Sequence, residues 1–412
     1  MKKKTLSLAL AFLMILGILT TQGAAFAAEN TLGIRPDWPY AAVGGVPASR
    51  LREYYSLTGA EKRLYDQVTT GIANLDMRIT VDFPLRNISG AAALQKIVRL
   101  VHCTHPEFFW WRGTFTYEFV INGKSTVDGG YSVLPTYEKD GKKICAKFNR
   151  AKNQLVLPTG QEITELKYWI NQGITALHYE LENLLRSVGW MTPHEKELAV
   201  HDWLCNRITY DKNAPNRDTV YGAIIERRAT CEGYSGSFQY ILRLLGVECL
   251  TFFGLVRNRE YPNGERHAWS AVKLYGEWYQ VDVTNDICNY NKYGLPWHFY
   301  FNRTTKFFTD LGHDSDQKLV LNPSITCTAT QYNYYNITDS HIASDSDFTS
   351  KAPARIARAK ANGERAFELE FNPSYAMPSE INTKLKLIDQ KLAAGIEFLC
   401  IDSHALLLGV FK

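Results

Sequence analysis

Apolar positions along this chain change period several times, and each change marks an element. Thr58-Gly59-Ala60-Glu61 has the form of a capping box, and Leu64, Val68, Ile72 and Leu75 continue from it at helical spacing. A short strand is predicted over Met77–Phe83. A second helix follows from about Ser89 to Cys103, with Leu94, Ile97, Val98 and Val101 on its buried face. Phe115, Tyr117, Phe119 and Ile121 then alternate up to Asn122-Gly123, a hairpin-turn signal. Further extended segments are predicted at about Tyr131–Tyr137 and Lys143–Phe148. Residues 28–160 therefore read as a small α/β domain, entered through a stretch over 28–55 that lacks periodicity.

From Glu162 to Val188 the helical period is sustained, through Ile163, Leu166, Ile170, Ile174, Leu177, Leu181 and Leu184. This predicts a connecting helix over 161–190. Thr192-Pro193-His194-Glu195 starts another, with threonine as cap, proline in the first turn and glutamate three residues on. A core domain is expected over 191–316. Within it, small residues around Cys231 give way to an amphipathic helix that reaches Leu245, and Gly246 suits the left-handed residue that ends it. A β-rich run follows from Val247 to Val256, then a polar loop, then two alternating segments, 267–274 and 278–284. Residues 317–346 are rich in Ser, Thr and Asn and read as a linker or edge. The remainder, 347–412, is expected to be a compact C-terminal α/β module. Its helices are predicted at Phe348–Ala361 and Pro378–Ala394, and its strands at Phe367–Phe371, Glu397–Ile401 and Ala405–Val410.

The alternating pair carries the chemistry. Tyr275-Gly276 reads as a two-residue turn, which pairs Leu274 with Glu277, His267 with Thr284 and Trp269 with Asp282. On that register His267 and Asp282 are diagonal neighbours on one face, roughly 7–8 Å apart and within reach of each other's side chains. Asp282 stands in a segment otherwise rich in Val, Tyr and Trp, where a carboxylate is costly unless paired. Cys231 falls where a loop becomes a helix, with Ser235 and Gly236 expected to ease the turn. There the positive end of the helix dipole favours a thiolate and unpaired amides can hold an oxyanion. Cys231, His267 and Asp282 thus have the types and order of a nucleophile, its base and the orienter of that base.

The residues around these three, Ala229-Thr230-Cys231-Glu232-Gly233-Tyr234-Ser235, His267-Ala268-Trp269-Ser270 and Trp278-Tyr279-Gln280-Val281-Asp282-Val283-Thr284, resemble the transglutaminase-like superfamily, and within it the exported bacterial members. Ile208-Thr209-Tyr210-Asp211, Tyr221-Gly222-Ala223-Ile224-Ile225 and Phe299-Tyr300-Phe301-Asn302 match the same pattern. The resemblance implies an α+β fold with a papain-like transglutaminase core. In that core a helix bearing the cysteine packs on an antiparallel sheet bearing His and Asp, here flanked by small α/β domains. It also implies catalytic roles for Cys231, His267 and Asp282, and an aromatic or amide donor near the oxyanion. Tyr221, Tyr234, Trp269 and Tyr210 are the candidates to border the cleft or supply that donor. One position departs from the pattern: an aromatic usually follows Asp-Val-Thr, and Asn285 stands here.

Other clusters read more plainly. His102, Cys103 and His105 form a cluster of metal-ligand types, but the resemblance implies a structural turn at His105-Pro106-Glu107-Phe108-Phe109-Trp110, and His201-Asp202 suits a helix core or cap. Asp286 and Asp314 are expected to be loop carboxylates on solvent. No zinc-finger, CxxC or EF-hand spacing is present, so neither a metal nor a cofactor is predicted.

Composition adds location. Lys2-Lys3-Lys4, the apolar run Leu6–Leu19 and Ala25-Phe26-Ala27 form a Sec-type signal peptide over 1–27, cut before Ala28, which predicts a secreted or cell-wall-associated protein. The chain has 46 basic and 42 acidic residues, and the leader holds three of the lysines. Such a balance argues against nucleic acid as a partner. No later apolar run is long enough to span a membrane. Of the 8 cysteines, at least one besides a free Cys231 stays unpaired or bridges chains. The sequence thus predicts an exported thiol enzyme of acyl transfer on protein or cell-wall peptides, nearer to a peptidase or amidase than to a cross-linker. The opposing reading is a catalytically silent binding module at the cell surface.

Overall fold

The computed structural model describes residues 56–81, 88–120, 130–149, 151, 154–258, 261–287, 295–316, 325–375, 381–388, 396–401 and 404–411. The predicted leader, the 28–55 stretch and the Asn122-Gly123 turn lie outside them. The chain divides into two compact units between Asn183 and Leu184.

In the first unit, helix α1 (Gly59–Asn74) opens with the predicted capping box. Thr58 N–H donates to Glu61 Oε2 at 2.8 Å, and Glu61 N–H donates to Thr58 Oγ1 at 3.3 Å. Leu64, Val68 and Ile72 are buried on one stripe. Strand β1 (Ile79–Val81), helix α2 (Ile88–Thr104) and strands β2 (Trp111–Val120), β3 (Gly130–Lys139) and β4 (Lys142–Ile144) follow. They form a sheet in the order β1-β3-β2, with β4 on β3, every pair antiparallel. Strands β5 (Lys147–Asn149) and β6 (Gln154–Val156) make a separate hairpin. His105 is buried between Glu107, 2.7 Å from its Nδ1, and the Tyr65 hydroxyl, 2.8 Å from its Nε2. It serves packing, as the turn reading required. Helix α3 (Gly160–Val188) then carries the chain into the second unit.

The second unit begins with helix α4 (Pro193–Arg207), where Glu195 reaches back to accept from Thr192 N–H at 2.9 Å. Strand β7 (Thr209–Tyr210), helix α5 (Val220–Ile224) and strand β8 (Arg228–Ala229) lead into helix α6 (Cys231–Leu244). Gly246 ends α6 in the left-handed region at φ 79°. Strands β9 (Glu248–Val256), β10 (Glu265–Leu274) and β11 (Glu277–Val281), helix α7 (Thr305–Asp310) and strand β12 (His313–Ser315) complete the core. Its sheet runs β11-β10-β9-β12, antiparallel throughout, and α6 packs across β9 and β10. The register is the one the turn demanded: Leu274 faces Glu277, and Tyr275 and Gly276 both take positive φ. The sheet pairing stops at Val281, so Asp282 lies just beyond the strand rather than within it.

The stretch 317–346 contains helix α8 (Tyr334–Ile337) and strand β13 (His341–Ile342). Helix α9 (Asp345–Ala361), strand β14 (Ala366–Phe371), helix α10 (Ile381–Ile388) and strands β15 (Ile396–Ile401) and β16 (His404–Val410) follow. Their sheet runs β13-β14-β16-β15, with β13 parallel to β14. Phe348, Ile356, Phe367, Leu369, Phe371 and Leu385 form its core. No helix of the described residues is long and apolar enough to cross a membrane.

Candidate active site

Several backbone contacts brace the start of α6. Thr230 N–H donates to the Arg217 carbonyl at 2.9 Å, and Tyr234 N–H to the Thr230 carbonyl at 3.0 Å. Gly233 makes room for a close approach, because a Cβ there would sit 2.4 Å from the Arg217 carbonyl oxygen. Thr230 occupies the cap position, yet its hydroxyl donates to Asp218 Oδ1 at 2.5 Å and makes no side-chain capping bond. The first-turn amides beside Cys231 are therefore not consumed by their own cap. Ser235 and Gly236 lie inside the helix, and Ser235 Oγ donates back to the Cys231 carbonyl at 2.8 Å. The close approach belongs to Gly233.

β10 and the residues just past β11 bring the next pair together. His267 Nε2 lies 2.7 Å from Asp282 Oδ2, with the His267 side chain partly buried and Asp282 fully so. Cys231 lies within interaction range of the same imidazole. Since Nε2 is committed to Asp282, Nδ1 is the nitrogen left for the thiol. Burial opposes charge on His267, but the Asp282 carboxylate outweighs it, Cys231 adds to the effect, and the pKa is lifted to about 10. Burial likewise opposes charge on Asp282. The two imidazoles facing it reverse that and hold it well below the usual carboxylate range.

Two further side chains hold Asp282. Asn285 donates from Nδ2 to Oδ2 at 2.7 Å and from its backbone N–H to Oδ1 at 3.2 Å. His313, on β12, brings its Nε2 to 3.2 Å from the same Oδ2. The sequence pattern flagged Asn285 only as a departure, and His313 carried no signal: it lies 31 residues from its partner and joins through a strand of 3 residues.

The four aromatic candidates fall in different places. Trp269 is buried. Its ring lies 6.0 Å from that of His267 at 19°, and its Nε1 donates to Gln280 Oε1 at 2.8 Å. The indole therefore backs the imidazole. Tyr234 is also fully buried and donates its hydroxyl to the Ile208 carbonyl at 2.5 Å. Tyr210 is half-buried and pairs through β7 with Ala229, two residues before Cys231. Tyr221 is half-buried on α5.

Residues 182–283 match the Transglutaminase-like superfamily. The chain carries a transglutaminase-like core. Relatives of this core include the human Kyphoscoliosis peptidase (Homo sapiens), 36% identical over 104 residues, covering 23% of this chain and 16% of that protein. The mouse Kyphoscoliosis peptidase (Mus musculus) is 35% identical over 101 residues, covering 22% and 15%. The chain thus spans about a sixth of the length of these relatives. A solved structure of a TGase is 15% identical, covers 49% of this chain and 50% of that one, and has a TM-score of 0.25.

Behind the transglutaminase-like core's His–Asp pair lies a second, buried polar network. Asp286 is fully buried, which overturns its reading as a solvent carboxylate. It accepts from Tyr300 N–H at 3.1 Å, and its Oδ2 lies 3.4 Å from His201 Nε2. Asp202 Oδ1 bridges His201 Nδ1 at 3.0 Å and His298 Nε2 at 2.9 Å, and Glu368 from β14 holds His298 Nδ1 at 2.6 Å. His201, Asp202 and His298, like His267, Asp282 and His313, are spaced closely enough to hold a metal ion. In both groups the nitrogens that face the carboxylate are already hydrogen-bonded to it. Cys205 is buried beside His201, and burial pushes its thiol up to about 11.

Proposed function

We propose that this chain is an exported cysteine-nucleophile enzyme acting on amide bonds of protein or cell-wall peptides, with water as the preferred acceptor. The observation that carries the reading is His267 Nε2 at 2.7 Å from a buried Asp282, with Cys231 at a helix start within interaction range of the same ring. In the proposed reaction the Cys231 sulfur bonds to the amide carbonyl carbon, and the negative charge moves to the carbonyl oxygen. His267 donates its proton to the departing amine as the C–N bond breaks, leaving a thioester. Water, deprotonated by His267, then attacks the thioester to release a carboxylic acid and free Cys231. An amine in place of water would give a cross-link. Relatives named as peptidases support water as acceptor, and the leader with its small-residue cut site supports export.

The test starts with iodoacetamide at neutral pH, followed at the Cys231 peptide by mass spectrometry. Cys231 should alkylate faster than a model thiol, and His267→Ala should abolish the advantage. Equal rates in both proteins would end the enzyme reading. A glutamine-donor peptide offered with and without a primary amine then separates the acceptors. Cleavage or ammonia release without the amine is expected, whereas conjugate formed only with it would reverse the preference.

A further inference from the structure

The carboxylate that faces His267 is not that ring's alone. Asp282 Oδ2 receives three donors, His267 Nε2 and Asn285 Nδ2 at 2.7 Å each and His313 Nε2 at 3.2 Å, while Oδ1 receives the Asn285 backbone N–H. A carboxylate oxygen has two lone pairs, so three donors on Oδ2 compete for the same charge. His313 can donate from Nε2 as a neutral ring. Its Nδ1 is buried beside the backbone of Leu311 and makes no well-formed hydrogen bond. The ring sits in an aromatic box, with Phe308 at 4.8 Å, Trp269 at 5.1 Å and Tyr300 at 5.9 Å between centroids.

We propose that His313 and Asn285 are positioning residues for Asp282, which pin its carboxylate against His267 and draw off part of its charge, so that the His267 proton is held loosely enough to be passed on. The two histidines on this one aspartate then play opposite parts. Burial keeps His313 below the ordinary imidazole range against the pull of Asp282, with the nearby His267 adding to the effect. His267 carries the charge. The titratable groups facing this pocket are Cys231 from α6, His267 from β10, Asp282, His313 from β12 and the Tyr300 ring. Lys212 acts on Cys231 and is itself paired with Glu265 at 2.8 Å. Asp314, next along β12, is turned to solvent and Arg257. Taking a donor from Asp282 concentrates its charge on His267 and must raise the pKa of that ring.

This inference rests on the proposed function for its purpose, but its test does not need a substrate. Histidine-selective isotope labelling of the full chain, with His267 assigned by its loss in His267→Gln, gives the titration of that ring. His313→Phe keeps the aromatic packing and removes the donor, and Asn285→Leu removes a donor at a second place. Each should move the His267 titration upward by on the order of 0.5–1 pH unit, about half the worth of one hydrogen bond to a charged acceptor, since the remaining donors still share the charge. His313→Gln, which restores an N–H, should bring it back. Alkylation of Cys231 at neutral pH should fall about tenfold in His313→Phe as the imidazole loses its fixed orientation. An unmoved or downward-shifted His267 titration in both donor-removing variants would overturn the proposal, even with Cys231 still reactive. A Cys231 that is unreactive in the unaltered chain would instead sink the enzyme reading and leave the charge-sharing result standing.

Discussion

Glu197 sits fully buried on α4, where burial pushes its carboxyl up to about 8 against the pull of Asn302 and His201. Its Oε2 accepts from Asn302 Nδ2 at 2.8 Å, while Glu197 Oε1 and Asn302 Oδ1 are both buried without a partner. A proton on Oε1 turns that buried oxygen from an unmet acceptor into a donor and removes the cost of a buried charge. The folded chain therefore holds this proton between the ordinary value of 4.5 and about 8, where the unfolded chain has released it. The stabilisation is fully present below pH 4.5 and is lost as pH rises toward 8. Glu197→Gln, which mimics the neutral acid, should gain thermal stability relative to the unaltered chain on going from pH 5 to pH 8. A melting-temperature difference that stays constant across that range would refute a protonated Glu197. Single residues of this kind were the least legible part of the sequence. His267 and Asp282 could be put on one face from the Tyr275-Gly276 turn, because register follows from local chemistry. Asp286 could not be told from a solvent carboxylate, since its partners His201 and Tyr300 lie far away in sequence and no periodicity links them.

At the scale of elements, α6 and its entry were readable at one end and not at the other. Gly246 is open on all sides and answers only to backbone conformation, a local demand that sequence displays. Gly233 answers to the Arg217 carbonyl arriving from a loop 16 residues earlier, a tertiary demand with no local sign. The two glycines should therefore respond differently to alanine. Gly233→Ala forces a backbone oxygen away from a Cβ it would meet at 2.4 Å, so a loss of about 1–3 kcal/mol is expected, together with a slower alkylation of Cys231 two residues before it. Gly246→Ala should cost about 1 kcal/mol through its left-handed backbone and leave the Cys231 rate unchanged. Thermal melts and alkylation rates on the same samples decide it. Equal effects on the thiol would mean that the α6 entry does not depend on this contact. The helices α1, α3 and α4 were plainer still, since apolar stripes and Thr–Glu boxes are written within each segment.

Across the second unit, the C-terminal module is tied into the core by charge as well as by packing. Strand β14 sends Glu368 to His298 at 2.6 Å and to the Tyr335 hydroxyl at 2.8 Å, and sends Glu370 to Arg303 at 2.5 Å. His298 in turn lies 2.9 Å from Asp202, whose other contact is His201, and His201 faces Asp286 one turn beyond Asp282. Burial opposes charge on His298, but Asp202 and Glu368 outweigh it and hold the ring up to about 9, so it is an imidazolium at neutral pH. Composition alone had marked residues 347–412 as a separate module, because strand and helix periods report what folds locally and carry no trace of a buried ion pair 70 residues apart. Glu368→Ala leaves that imidazolium buried beside one carboxylate instead of two, a change expected to cost on the order of 3 kcal/mol. The module and the core should then unfold together at a lower denaturant concentration, because the lost contact belongs to both. Tryptophan fluorescence can follow the core through the buried Trp269 and Trp297, while the module, which holds no tryptophan, can be followed by hydrogen exchange at β14 and β16. Coincident transitions that shift together in Glu368→Ala are the expected result. A module that opens alone, with the core transition unmoved and Cys231 as reactive as before, would show that β14 is an appendage and that its carboxylates stabilise only their own sheet.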